Sequence, residues 1–157
     1  MEMVIYVAIL SIVTVVIANT LVSFSRSYRD LLALRLVDHS GIDAMERMTR
    51  DIRFATSINL VGSTLGTSPG VLTIVRTTNS ISTTTKFYIQ NSILKTDVNG
   101  SYFGPLSSSG ATVTNLVFSK IDNAISKAIK IDMTVSATVG TATKTKSYHS
   151  TVILKGI

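Results

Sequence analysis

Cysteine and tryptophan are absent from this 157-residue chain, and proline and histidine occur twice each. Without thiols there are no disulfides and no thiolate metal sites, so the fold must be held by its core alone. His39 and His149 lie in different segments, and a two-histidine metal centre would need the fold to bring them together. His39 reads as an exposed helical position. A nucleophile elbow, a Walker loop and a dinucleotide-binding glycine motif are all missing. Gly62–Gly66 (GSTLG) and Gly104–Gly110 (GPLSSSG) lack phosphate-loop chemistry and read as plain loops. Neither enzymatic activity nor a cofactor is expected.

Charge is missing from Met3 to Phe24, which reads MVIYVAILSIVTVVIANTLVSF. At about 1.5 Å per residue this run reaches roughly 30 Å, the thickness of a bilayer core. A cleavable signal peptide would need a basic start and a small-x-small cleavage site. Glu2 is the one charged side chain before the run, and Ala18-Asn19-Thr20 is a poor cleavage site, so the segment is read as a retained single span. Acids become scarce later on. Residues 1–54 hold six Arg against six acids, whereas residues 55–157 hold Arg76 and eight Lys against Asp97, Asp122 and Asp132, which accounts for the net +6. Solubility and mutual repulsion of heads is the simpler reading of that excess. Capture of DNA or another anionic polymer is the alternative.

Glycine and proline are both absent before Gly41, so the apolar run continues into a second helical stretch, giving one helix from about residue 3 to 55 and roughly 80 Å long. Leu31, Leu34, Val37, Gly41, Met45, Met48, Ile52 and Ala55 recur at three- and four-residue spacing, an amphipathic stripe expected to cover a sheet. Pairs four residues apart are expected at Arg26–Asp30, Asp43–Arg47, Glu46–Arg50 and Arg47–Asp51. A helix of that length cannot fold into so small a globule, and half of it must protrude.

Beyond Thr56 the helical period stops. Gly62, Gly66, Pro69 and Gly70 mark a loop. Strands follow at Val71–Arg76, at Thr85–Asn91 and Ser92–Val98 (a hairpin turning near Asn91), and at Val113–Ser119, with Asn99-Gly100 a further turn signal. Ile131, Met133, Val135, Ala137 and Val139 alternate with polar residues over Lys130–Val139, as a strand with one wet face requires. Lys144–Leu154 returns beside it. The expected fold class is α+β: residues 1–24 as the membrane half of the helix, 25–55 as its amphipathic half, and 56–157 as an antiparallel sheet of four to six strands.

Inside the span, Ala8, Ser11, Val15, Ala18 and Val22 form a stripe of smaller residues, the kind of seam by which helices associate in membranes. A carboxylate at Glu2 is costly if it enters hydrocarbon, by about 2.5–3.5 kcal/mol at the bilayer centre. At headgroup level it costs little and suits a helix N-terminus. Glu2-Met3-Val4-Ile5-Tyr6-Val7-Ala8-Ile9-Leu10 resembles the start of type IV pilins and type II secretion pseudopilins. Met45–Ala55 (MERMTRDIRFA) resembles the helix end of J-type minor pseudopilins and related minor pilins. Val113–Ser119 and Ser150–Lys155 resemble sheet segments of that group. Only the first 24 residues carry a specific motif, and the proline that many pilins have in this helix is absent.

The resemblance implies a filament subunit. Glu2 would pair with the free N-terminal amine of a neighbouring subunit, and Ala8, Ser11, Val15, Ala18, Leu31, Leu34, Met45, Met48 and Ile52 would pack helices. Partners would be other pilins or pseudopilins, the membrane, and a prepilin peptidase acting on a Lys/Arg-containing leader encoded upstream of Met1. Arg26, Arg29 and Arg35 flank the far end of the span, so the positive-inside rule applied to them alone puts the head in the cytoplasm. Such a leader would reverse that, with the head outside an inner or plasma membrane and later in a periplasmic or extracellular filament.

Overall fold

A computed structural model describes residues 2–122 and 126–155. Met1, the residue on which the leader expectation turns, lies outside the described residues. Helix α1 runs from Glu2 to Arg53, 52 residues, close to the expected 3–55. At 1.5 Å per residue it is roughly 78 Å long. Residues 2–29 are all exposed, and burial begins with Ala33. The chain is therefore a long apolar helix of which only the second half carries an antiparallel β head.

Eight strands follow: β1 Ser57–Ile58, β2 Leu72–Thr78, β3 Ile81–Gln90, β4 Ile93–Val98, β5 Ser101–Pro105, β6 Ala111–Asp122, β7 Lys127–Val139 and β8 Ala142–Ile153. They form two sheets, ordered β1-β2-β3-β4-β5 and β6-β7-β8, rather than one sheet of four to six strands. Short hairpins join β2 through β5 within the first sheet. Asn79-Ser80, Asn91-Ser92 and Asn99-Gly100 all sit at positive φ, as the tight two-residue turns of hairpins require and asparagine and glycine tolerate. Two of these turns coincide with the expected ones. The strands reach further than the sequence pattern indicated, because the polar run Ser82–Thr84 joins β3 and Ser101–Pro105 pairs with β4.

The three-stranded sheet lies on α1. Ile129, Ile131, Met133, Val135 and Ala137 of β7 are buried with Leu116 and Phe118 of β6 against Val37, Ala44, Met48 and Ile52. Alternation in β7 thus faces the core as expected, except that Val139 is only half-buried. The outer edge of β6 is closed by the 62–70 loop, where the Gly66 and Gly70 amides donate to the carbonyls of Phe118 and Leu116 at 2.8 and 2.7 Å. At Gly70 a Cβ would stand 2.9 Å from the Leu116 carbonyl oxygen, so glycine is what lets the loop lie this close.

Strand β8 runs alongside α1 in the same direction. Lys144 meets Asp30 (3.2 Å), Lys146 meets Asp38 (2.7 Å), and the Lys155 amide donates to the Arg53 carbonyl (3.0 Å). Strand rise explains the match: from Lys144 to Lys155 a strand climbs about 36 Å. From Asp30 to Arg53 a helix climbs about 34 Å.

Candidate functional site

The uncovered half of α1 has a simple local cause. Apolar side chains surround the helix on every side, so no single face directs it onto the head. Among its polar groups, Ser11, Thr14 and Thr20 donate their hydroxyls to the carbonyls of Val7, Leu10 and Val16, each at 2.8 Å. Hydroxyls satisfied within the helix can sit in hydrocarbon without an unpaired donor. This helix is long and apolar enough to cross a membrane once, and none of its most apolar window is buried by the head.

The structure separates the helix residues singled out from the sequence. Glu2 opens α1 and is exposed, and Ala8, Ser11, Val15 and Ala18 lie on the uncovered half. Met45, Met48 and Ile52 belong to the core. Leu31 and Leu34, expected on the stripe that covers the sheet, are 57% and 41% exposed, and that expectation is corrected. The buried face is turned toward Ala33, Val37, Ser40, Gly41 and Ala44. Sheet and helix approach too closely there for leucine. A Cβ added at Gly41 would fall 2.3 Å from the Tyr148 ring. The missed signal was the spacing of small residues, which a search for large apolar side chains passes over.

Two of the expected charge pairs also change partners. Asp30 bonds Lys144 rather than Arg26, and Asp43 pairs with an exposed His39 (2.6 Å) rather than with Arg47. Glu46–Arg50 and Arg47–Asp51 form as expected.

Beside the core, Asp38 is a hub. It accepts from Lys146 Nζ (2.7 Å) and Tyr148 Oη (3.0 Å), and Tyr148 also lies 3.2 Å from the Val37 carbonyl. The Lys146 ammonium, then the Tyr148 hydroxyl, holds the Asp38 carboxyl below the usual carboxylate value. Burial, then the bond to Asp38, pushes the Tyr148 hydroxyl up to about 12. Asp132 is likewise held low by His149 (2.6 Å) and Lys130 (3.1 Å).

Between α1 and β8 lies an open groove of about 620 Å³, lined by Ile42, Met45, Thr49, Phe54 and Tyr148 with Arg50 and Arg53 at its rim. Ile42 continues the exposed line of Phe24, Tyr28 and Leu31 along one side of the helix. Among the described residues no group of three or more His, Asp or Glu side chains is arranged to hold a metal. No protein-family model, curated protein or solved structure matches the chain.

Proposed function

We propose that this chain is a structural subunit of a filament of the type IV pilus or type II secretion kind, a minor pilin or pseudopilin. It is held in a membrane by one span until α1 is withdrawn into a bundle of sibling helices. The observation that supports this reading is the division of α1: 28 consecutive residues, Glu2 to Arg29, are exposed, touching the head only where Arg26 and Arg29 reach the turn between β7 and β8, while the rest is built into the head. A bilayer covers such a helix before assembly and neighbouring helices cover it afterwards. The small-residue stripe from Ala8 to Ala18 is where those helices would close up. Leu31 and Leu34, free of the head, are available to the same neighbours.

In a filament, Glu2 enters an apolar bundle, where an unpaired carboxylate is costly. Pairing with a neighbour's terminal amine makes the charge a register device. Tagged parent and Glu2→Val proteins are to be compared in sheared filament and membrane fractions. The variant is expected to stay in the membrane fraction and be lost from filaments. Equal incorporation of the two would sink the assembly role of Glu2.

A second reading, capture of DNA or an anionic polymer by the head, draws on its charge. Of the nine head cations, Lys120, Lys130, Lys144 and Lys146 are engaged with carboxylates, and the other five, Arg76, Lys86, Lys95, Lys127 and Lys155, enter no ion pair among the described residues. Salt-dependent retention of the protein on immobilised DNA tests it.

A further inference from the structure

A second cleft, of about 430 Å³, opens where the five-stranded sheet overhangs the flank of α1. Ile74 and Val98 form its apolar floor, and Phe103 closes one end. The Arg47–Asp51 pair (3.0 Å) stands on the helix side, and Arg76, Thr78, Thr83 and Thr85 stand on the sheet side. Strand register explains the grouping. Arg76 is opposite Thr83, Ile74 is opposite Thr85, and Thr85 is opposite Val98, so these side chains share one sheet face.

Of the cleft's polar groups, Arg47 and Asp51 are spent on each other, while Arg76 and the three threonines are not. Elsewhere in the head, hydroxyls on neighbouring strands bond each other: Thr77 with Ser82 (3.1 Å), Thr134 with Ser147 (3.0 Å), Thr138 with Thr143 (3.0 Å). Among the described residues, Thr78, Thr83 and Thr85 have no such side-chain bond, and Arg76 has no carboxylate partner. The Arg76 guanidinium instead lies 5.4 Å from the centre of the Phe54 ring, a contact that orients it without neutralising it.

One free guanidinium, three free hydroxyls, a carboxylate and an apolar floor define the ligand narrowly. A phosphate backbone wants several unpaired cations, and Arg76 is the one the lining offers, Arg47 being bound to Asp51. A carboxylate alone would satisfy Arg76 and leave the threonines idle. A carboxylated pyranose uses all of them. Its carboxylate takes the planar fork of Arg76. Its ring hydroxyls meet threonines that both donate and accept. Its C–H face lies on Ile74 and Val98, and a further hydroxyl donates to Asp51.

We propose that this cleft binds a uronic-acid residue of an acidic polysaccharide. The proposal narrows the second reading above and rests on the head's taking anionic partners. It stands apart from filament assembly.

The test is a titration of the full chain, isotope-labelled, in amine-oxide micelles that carry no sugar headgroup, with digalacturonate followed by amide chemical shifts. Saturable shifts are expected at residues 74–78, 83–85 and 98. Neutral galactobiose should bind at least tenfold more weakly. Arg76→Gln and the double variant Thr83→Val/Thr85→Val should each weaken digalacturonate at least tenfold, with the amides of β6, β7 and β8 unmoved as a check on folding. Absence of a saturable shift overturns the proposal, as does undiminished binding by either variant. An equal response to triglutamate also overturns it, making the cleft a peptide site. Retention on DNA scores the second reading separately, since it draws on cations across the whole head.

Discussion

The two halves of α1, one apolar all round and the other amphipathic, belong to one unbroken helix, yet they bury themselves in opposite ways. Below Arg29 large aliphatic side chains project on all sides and meet nothing within the chain. Above Asp30 the buried face opens with small and medium residues, Ala33, Val37, Ser40, Gly41 and Ala44, and ends with Met45, Met48 and Ile52. Hydrophobicity alone does not choose the buried face. Leu31 and Leu34 are among the most apolar residues of the upper half and stay outside, because the buried face runs instead through Ala33, Val37 and Gly41, where the Tyr148 ring comes close to the helix. The lower half has no sheet to fit and is free to present bulk to lipid or to other helices.

The sharpest way to break this comparison is Met48→Ala, a truncation at a site with no exposure. It is expected to cost about 2–5 kcal/mol of head stability. Urea unfolding of parent and variant measures it, and an unchanged midpoint would place Met48 outside the core. Next comes Gly41→Val, which forces a side chain into the Tyr148 ring. Overpacking of this kind costs about 1–3 kcal/mol. The same experiment should show Ala18→Val, a gain of bulk smaller by one carbon and placed on the lower half, leaving head stability unchanged.

A smaller effect comes from the polar hub on the upper half. The Asp38 carboxyl is held below its usual 3.8, so its contribution is present above that pH and is lost as pH falls through the depressed value. The Tyr148 hydroxyl has the opposite sense. Its contribution is full below 10.0 and is lost as pH rises toward about 12. Melting temperatures of parent, Asp38→Asn and Tyr148→Phe across pH should therefore converge at the acid end for the first variant and at the alkaline end for the second. Parallel curves would show that neither group titrates with folding.

The smallest expected effect is the most telling about the lower half. Removing residues 1–24, or replacing Leu31 by Ala, should move the melting temperature of the head by no more than an exposed substitution does, within about 0.5 kcal/mol. Circular dichroism of the shortened chain should keep a strong strand signal. Loss of that signal would mean that the head depends on the span after all.

Long-range pattern was the legible part of this fold. An uncharged run, then a helical period with no proline and no glycine before Gly41, then alternation in β7 were enough to read a long helix carrying an antiparallel head. Asn91 and Asn99-Gly100 located two turns because positive φ has few tolerant residues. The division into two sheets was not legible: each strand pairs with its neighbour in sequence, and no local pattern marks the one place, between β5 and β6, where that pairing is broken. Ser82–Thr84 escaped notice because it shows no apolar alternation, Ile81 being the one apolar residue from Thr77 to Lys86, and Ser101–Pro105 because proline and glycine resemble a loop until an edge position excuses them. At the candidate site, the exposed span and Glu2 were read directly from composition. The turned face of the upper helix and the cleft around Arg76 depend on which strands lie side by side, and emerged only in three dimensions.

The matched climb of β8 and α1 has a mechanical consequence. Contacts at Asp30, Asp38 and Arg53 lie in series along two parallel rods, so tension drawn along the helix loads them together, in shear. Tension applied across the rods would open them one at a time, from the end. A head fastened this way should hold firm when its helix is pulled lengthwise and peel readily when pulled sideways. Single-molecule extension with handles placed along or across α1 would read the two rupture forces.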